Sequence, residues 1–253
     1  VSGGLWLLAI GIKEVALLWP LALLVLEIAM PQAGAWRRLW PFLLLLVAGL
    51  LALCFHPAYD RLLGFALDIR DTSSQLRGQV LALGYLGQKF VWPTHLSIDP
   101  DWAWPSHWHP GLVLGAATLL SLWLAAGWQR RRWPWLTLTV FWVTVALLPT
   151  NSLMPRLDLV NERQAYLADA VLCWAAALGL IWISRNWREH GCRLAGSALC
   201  GTLAVLTLMR NADYATETSL WQATVRTSPA NPRAWNNLGF ALEQTGQRQA
   251  AIA

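Results

Sequence analysis

PGLVLGAATLLSLWLAAGWQRRRWPWLTLTVFWVTVALLPTN, Pro110 to Asn151, decides the fold of this chain. Two apolar runs, 111–128 and 134–149, flank three consecutive arginines, Arg130, Arg131 and Arg132. A membrane-spanning helix needs roughly 17 to 25 mostly apolar residues, and each run reaches or approaches that length. The segment predicts two spans joined by a short basic turn. Runs of the same kind lie near 15–30, 39–55, 167–184 and 194–209, so six spans are expected.

The composition agrees with a membrane setting, since 56% of the residues are hydrophobic and 13% charged, whereas soluble domains carry about 25% charged residues. Many of the 18 tryptophans stand where apolar runs meet polar ones, as Trp36, Trp40, Trp92, Trp128 and Trp133 do, in the manner of interfacial belts. A net charge of +5 would suggest nucleic acid in a soluble protein. Here the arginines fall in short clusters between apolar runs, so they are topology signals and no nucleic-acid partner is expected. Cys54, Cys173, Cys192 and Cys200 lie in or beside the spans without metal-ligand spacing, which supports neither a zinc site nor a disulfide framework. Val1 follows no initiator Met or signal peptide and Ala253 falls inside a repeat, so the chain reads as a piece of a longer protein.

Arg37 and Arg38, then Arg130 to Arg132, then Arg185, Arg188 and Arg193 follow alternate spans. The positive-inside rule puts 31–38, 129–133 and 185–193 in the cytoplasm. The loops 56–110 and 150–166, with everything after Arg210, then face the other side. The first apolar stretch, Val1 to Met30, is too long for one span and is read as the end of a helix, a corner at Gly11 to Glu14 and a new span. Gln75 to Trp92 is apolar as well, but letting it cross would invert the triple arginine, so it is assigned to a helix lying in the outer interface. Asp99 to Pro110, DPDWAWPSHWHP, is too rich in Pro and Trp for a helix and is expected to be a loop against headgroups.

Beyond Arg210 polar residues return. Ala234 to Ile252, AWNNLGFALEQTGQRQAAI, matches the tetratricopeptide pattern at Trp235, Leu238, Gly239, Leu242, Gly246, Ala251 and Ile252. SLWQATVRTSP, Ser219 to Pro229, reads as the second helix of a preceding half repeat. The expected organisation is therefore all-α, a polytopic transmembrane helix bundle over 1–210 and the start of a tetratricopeptide repeat α-solenoid over 211–253. The repeats are expected to bind peptide, with Trp235, Asn236 and Asn237 as contacts.

Ionisable groups at membrane depth are costly and mark substrate paths or pair with one another. Lys13 and Glu14 form either a corner whose side chains snorkel to the interface or a contact between Lys13 and a lipid phosphate. The outer loop from Leu148 to Ala170 gathers Arg156, Asp158, Asn161, Glu162, Arg163 and Tyr166. An arginine fork suits an anionic leaving group at a membrane surface, with Arg163 positioned by Glu162 and Tyr166 one short helical step away; a solvated loop with local charge pairing is the plainer reading. Arg77 and Lys89 flank the interfacial helix and read as headgroup contacts. His56, His95, His107 and His109 lack further ligands at metal spacing, so no metal is assigned.

The Lys13–Glu14 corner, YLGQKFVWPTHLSID at Tyr85 to Asp99, LPTNSLMP at Leu148 to Pro155, NERQAYL at Asn161 to Leu167 and the repeat from Ala234 occur in that order. In this the chain resembles the transmembrane and tetratricopeptide repeat containing O-mannosyltransferases, type C glycosyltransferases, and their bacterial relatives. The resemblance implies an inverting enzyme that moves a sugar such as mannose from a polyprenyl-phosphate carrier to a protein or other acceptor outside the cytoplasm, with no cofactor beyond that donor. It places Asn161, Glu162, Arg163 and Tyr166 in the active-site cavity and Lys13 on its lipid-phosphate side. The general base belongs to an acidic motif in the family's first outer loop, expected upstream of Val1. The Ala-, Leu-, Trp- and Arg-rich style points to a bacterial inner membrane with periplasmic repeats, the endoplasmic reticulum lumen being the other compartment. A noncatalytic membrane anchor for a repeat scaffold in envelope or polysaccharide export is the competing reading, and a lipid-carrier flippase fits less well because the spans hold almost no charge.

Overall fold

The computed structural model describes residues 2–12, 14–57, 61, 64–65, 68, 71–102, 104–148, 151, 160, 162–184 and 189–252. These residues form helices and connecting loops, with no strand among them. In chain order the helices are α1 (Ser2–Ile12), a 3-10 turn (Glu14–Leu18), α2 (Trp19–Ala29), α3 (Ala35–Cys54), α4 (Thr72–Val91), α5 (Pro110–Trp128), α6 (Pro134–Leu147), α7 (Tyr166–Ile183), α8 (Glu189–Asp213), α9 (Glu217–Thr227), α10 (Pro232–Gln244) and α11 (Arg248–Ile252). Pro20, Pro110, Pro134 and Pro232 stand at the first or second positions of α2, α5, α6 and α10, where the missing N–H would have had no intrahelical partner anyway.

Among the described residues four segments, Ala35–Ala52, Pro110–Arg131, Tyr166–Ile183 and Arg193–Asp213, are long and apolar enough to cross a membrane. The protein is an all-α, multi-pass membrane protein. Leu114, Leu120, Leu124, Trp182 and Leu194 turn outward, an exposure that lipid tolerates and water does not. The other two expected spans are shorter. α6 has 14 residues, about 21 Å of helix against a hydrocarbon core of roughly 30 Å, and it starts at the expected Pro134. α2 has 11 residues, but the 3-10 turn in front of it stretches the rod to about 26 Å.

The chain divides into two compact units. The first comprises 1–84, 105–157 and 164–175. In it Trp6, Leu17 and Leu46 form a small buried core. Trp6 donates its indole N–H to the Ala16 carbonyl at 2.7 Å and meets the Phe42 ring edge-on at 5.7 Å, so the corner after α1 folds back onto α3. α5 and α6 are joined by polar bonds: fully buried Thr137 donates to the Ala126 carbonyl at 2.7 Å, and Trp123 donates to Thr144 Oγ1 at 3.0 Å. In the same unit the start of α4 is tied down by Arg77, which is only 8% exposed. Its guanidinium donates to the Pro105 carbonyl at 2.8 Å and to the hydroxyls of Ser73 and Ser74, each at 2.7 Å. A guanidinium with three internal acceptors fastens helix to loop.

The second unit comprises 85–104, 158–163 and 176–253. α9 begins at a capping box, in which Thr216 Oγ1 accepts from the Ser219 N–H at 3.0 Å and Ser219 Oγ accepts from the Thr216 N–H at 3.0 Å. α10 begins where Asn231 Oδ1 accepts from the N–H groups of Arg233 and Ala234. It ends with Gly246 at φ 79°, the Gly246 N–H on the Glu243 carbonyl and the Gln247 N–H on the Leu242 carbonyl, both at 2.9 Å. That paired-bond C-cap requires a left-handed residue, which glycine supplies without strain. Val225, Ala234, Leu238 and Leu242 make the core of this helical end, with Trp221 and Ala251 packed against it.

Candidate functional site

Lys13, Arg156 and Asn161 lie outside the described residues, and of Glu14 and Arg163 the backbone alone is described. The remaining members of the outer-loop candidate part ways. Tyr166, at the start of α7, is 67% exposed, whereas Glu162 turns inward within the second unit. Its Oε1 accepts the Tyr85 hydroxyl proton in a short hydrogen bond and the Ser97 backbone N–H at 3.1 Å.

Tyr85 is itself buried. Its ring meets Trp102 edge-on at 5.0 Å, and Lys89 Nζ lies 5.2 Å from the ring centroid, one helical turn further along α4. The same ammonium donates to the carbonyls of Thr94 at 2.6 Å and His95 at 3.0 Å. Lys89, also expected to touch headgroups, thus holds the WPTHLSID loop against the end of its helix. His95 sits at φ 52°, a left-handed conformation uncommon for a non-glycine residue, and the bond to its carbonyl helps hold it there.

Burial pushes the Glu162 carboxyl above its ordinary value, while the hydrogen bonds from Tyr85 and Ser97 and the charges of Arg210 and Lys89 pull it back down. Tyr85 is pushed up, first by burial and then by donating its proton to a carboxylate. The two groups therefore hold one proton firmly on the phenol while the carboxylate receives two donors. Arg210, in the last turn of α8, supplies the second cation. One of its terminal nitrogens pairs with Asp213 at 3.1 Å, its guanidinium lies 5.0 Å from the Tyr214 ring, and its Nη2 is buried without a hydrogen-bond partner among the described residues.

Ser97 also looks the other way. Its hydroxyl is 2.9 Å from that of Ser228, both side chains being buried, and Ser228 Oγ accepts the Asp101 N–H at 3.2 Å. Asp101 Oδ2 accepts the Ala230 N–H at 2.9 Å, Asn231 donates to the Asp99 carbonyl at 3.0 Å, and Arg233 Nη2 stands 3.0 Å from Asp99 Oδ2, close enough to pair but without hydrogen-bond alignment. The loop that carries the donor to Glu162 is thereby latched to the turn between α9 and α10. Trp235, Asn236 and Asn237 come together beside that turn, lining a shallow groove of about 450 Å3 with Phe240, Glu243 and Arg248. Gly239 lets α11 approach this face, since a Cβ there would meet the Ala251 carbonyl at 3.3 Å.

Tyr85, Ser97 and Arg210 were not singled out as site residues from sequence. Tyr85 and Ser97 do lie in YLGQKFVWPTHLSID, and Arg210 is the basic residue in the last turn of the final apolar helix, which by itself reads as a topology marker.

An all-α, multi-pass membrane protein with a polar cluster that reaches the end of one apolar segment is the class these features define. Over 116 residues, 44% of this chain, it is 31% identical to Protein O-mannosyl-transferase Tmtc3 of Drosophila melanogaster. It is 30% identical over 115 residues to Protein O-mannosyl-transferase Tmtc1 and 29% identical over 119 residues to Protein O-mannosyl-transferase Tmtc2 of the same species. These alignments take in 43% and 46% of this chain, and 12% of Tmtc3, 13% of Tmtc1 and 12% of Tmtc2, so the chain spans a small part of the curated relatives it matches. No family model and no solved structure matches the chain.

Proposed function

We propose that this chain is part of a membrane glycosyltransferase that moves a sugar, mannose by analogy with the relatives' names, from a polyprenyl-phosphate carrier to a hydroxyl acceptor on the noncytoplasmic face. One observation carries the reading. The inward-turned Glu162, held by Tyr85 and Ser97 and influenced by the charges of Lys89 and Arg210, is a polar, cation-rich centre in a chain made mostly of apolar helices. Such a centre suits an anionic lipid headgroup whose phosphate must be stabilised as it leaves. On this reading Asn161 and Arg163 belong with their neighbour Glu162 to the donor side, and Lys13, Arg156 and Tyr166 are further donor-side residues proposed from the sequence alone. Glu14 belongs to the same side through its place next to Lys13. The helices from α9 onward are the start of a tetratricopeptide array, and Trp235, Asn236 and Asn237 offer acceptor peptides a groove.

The test is Arg163→Ala in the intact protein, with transfer from a radiolabelled polyprenyl-phosphate mannose measured in membranes. Transfer is expected to be lost while membrane insertion is kept. Undiminished transfer would remove the donor-site reading and leave the groove as the basis for a second one, a noncatalytic repeat scaffold held at the membrane.

A further inference from the structure

The turn between α2 and α3, in the first unit, contributes nothing to the Glu162 cluster, yet two hollows converge on it. One is an apolar slot of about 500 Å3 walled by Trp6, Trp19, Leu23, Leu26 and Phe42, with Glu27, Gln32 and Arg38 at its polar end. The other, of about 670 Å3, shares Glu27 and Gln32 and is completed by Arg130 and Arg131, which belong to the 3-10 turn Gln129–Arg131. Both volumes fall in the range of small-molecule sites, roughly 300–1,000 Å3.

The polar end is an ordered arrangement. Arg38 lies 3.6 Å from Glu27 and donates to the Gln32 side-chain carbonyl at 3.1 Å, and Glu27 in turn accepts the Gln32 N–H at 3.1 Å. The one carboxylate is thus occupied by Arg38 and by the backbone. Arg130 and Arg131, both exposed, add two positive charges beside it. An apolar slot ending on surplus guanidiniums complements a molecule with a hydrocarbon chain and an anionic head. Basic pockets between membrane helices take such headgroups, and the forked guanidinium fits phosphate oxygens. A soluble anion would leave the tryptophan- and leucine-lined slot unfilled. A neutral lipid would leave the arginines unanswered.

We propose that this turn is a binding site for one anionic phospholipid, with an acyl chain in the Trp6–Trp19–Phe42 slot and its phosphate on Arg130, Arg131 and the outer edge of Arg38. The proposal goes beyond the transferase reading and does not depend on it, because its test follows lipid retention and not sugar transfer.

The intact protein in detergent is challenged with equal phosphatidylglycerol and phosphatidylcholine, and retained lipid is read by native mass spectrometry. Phosphatidylglycerol is expected to be kept in at least roughly tenfold preference. Arg130→Gln with Arg131→Gln, a pair outside the Glu27 ion pair, should abolish a preference of that size, at about fivefold for each arginine near an anionic surface. Leu23→Trp, which fills the slot, should lower retention of both lipids while far-UV circular dichroism stays unchanged. Equal retention of the two lipids by the unaltered protein overturns the proposal without any variant. Displacement of phosphatidylglycerol by free glycerol phosphate overturns it as well, showing a headgroup site with no chain in the slot, and so does undiminished retention in the double arginine variant.

Discussion

Tyr85→Phe removes one hydrogen-bond donor and little else. The edge-on contact with Trp102 and the position of Lys89 over the ring are available to phenylalanine, so the change isolates the hydroxyl that serves Glu162. A hydrogen bond to a charged group contributes about 1.5–3 kcal/mol, against about 0.5–1.5 kcal/mol for a neutral pair. The cost of Tyr85→Phe must therefore depend on whether Glu162 is ionised. The folded protein holds the Glu162 proton more tightly than the ordinary value of 4.5. Between that value and the raised one stability falls as pH rises, because the unfolded chain has released a proton that the folded chain still binds; above the raised value it levels off. Loss of the Tyr85 donor raises the folded value again, which deepens the fall and carries it to higher pH. Thermal unfolding in detergent across mildly acidic to neutral pH should show a melting-point loss of roughly 4–8 °C at neutral pH, taking about 2 kcal/mol and 2–4 °C per kcal/mol for a chain of this size, shrinking at acid pH. In a Glu162→Gln background the same substitution should cost about 1 kcal/mol at every pH. A cost independent of pH, or one left unchanged by the Glu162→Gln background in a double-mutant comparison, would refute the pairing of phenol and carboxylate on which the site rests.

Two further outcomes are expected. Ser228→Ala withdraws the buried hydroxyl shared by Ser97 and the Asp101 N–H and should destabilise by about 1–3 kcal/mol, with faster hydrogen exchange along 97–101 as the local readout. Gly246→Ala forces a Cβ into a left-handed residue and should cost about 1–2 kcal/mol, seen as earlier melting of the α10–α11 end.

Much of the architecture is local information and so was legible in the residue order. The apolar runs bounded by arginine clusters at 37–38 and 130–132 put α3, α5 and α6 within a few residues of where they lie, because hydrocarbon selects each span by its own length and apolarity. The corner after α1, the loop of 92–109 and the helices of the C-terminal end were foreseeable for the same reason, as proline, glycine and capping residues act within a turn of themselves. The start of α2 was read less well, since part of the expected span is wound as a 3-10 turn, which hydropathy does not distinguish from α-helix.

The site was legible only in part. Glu162 was found as a charge near the membrane surface, but its partners lie 77 and 65 residues away, and no spacing rule links Tyr85 or Ser97 to it. Arg77 and Lys89 show the same dependence: the sequence shows a cation beside an apolar helix, and only folding supplies the carbonyls of Pro105, Thr94 and His95 that they engage. The sequence by itself determined that this protein is all-α and crosses the membrane several times, because hydrophobic partition and helix capping depend on neighbouring residues. Only the tertiary structure decided which charges turn inward, because a carboxylate or guanidinium goes wherever distant parts of the chain bring enough donors or acceptors to replace its water.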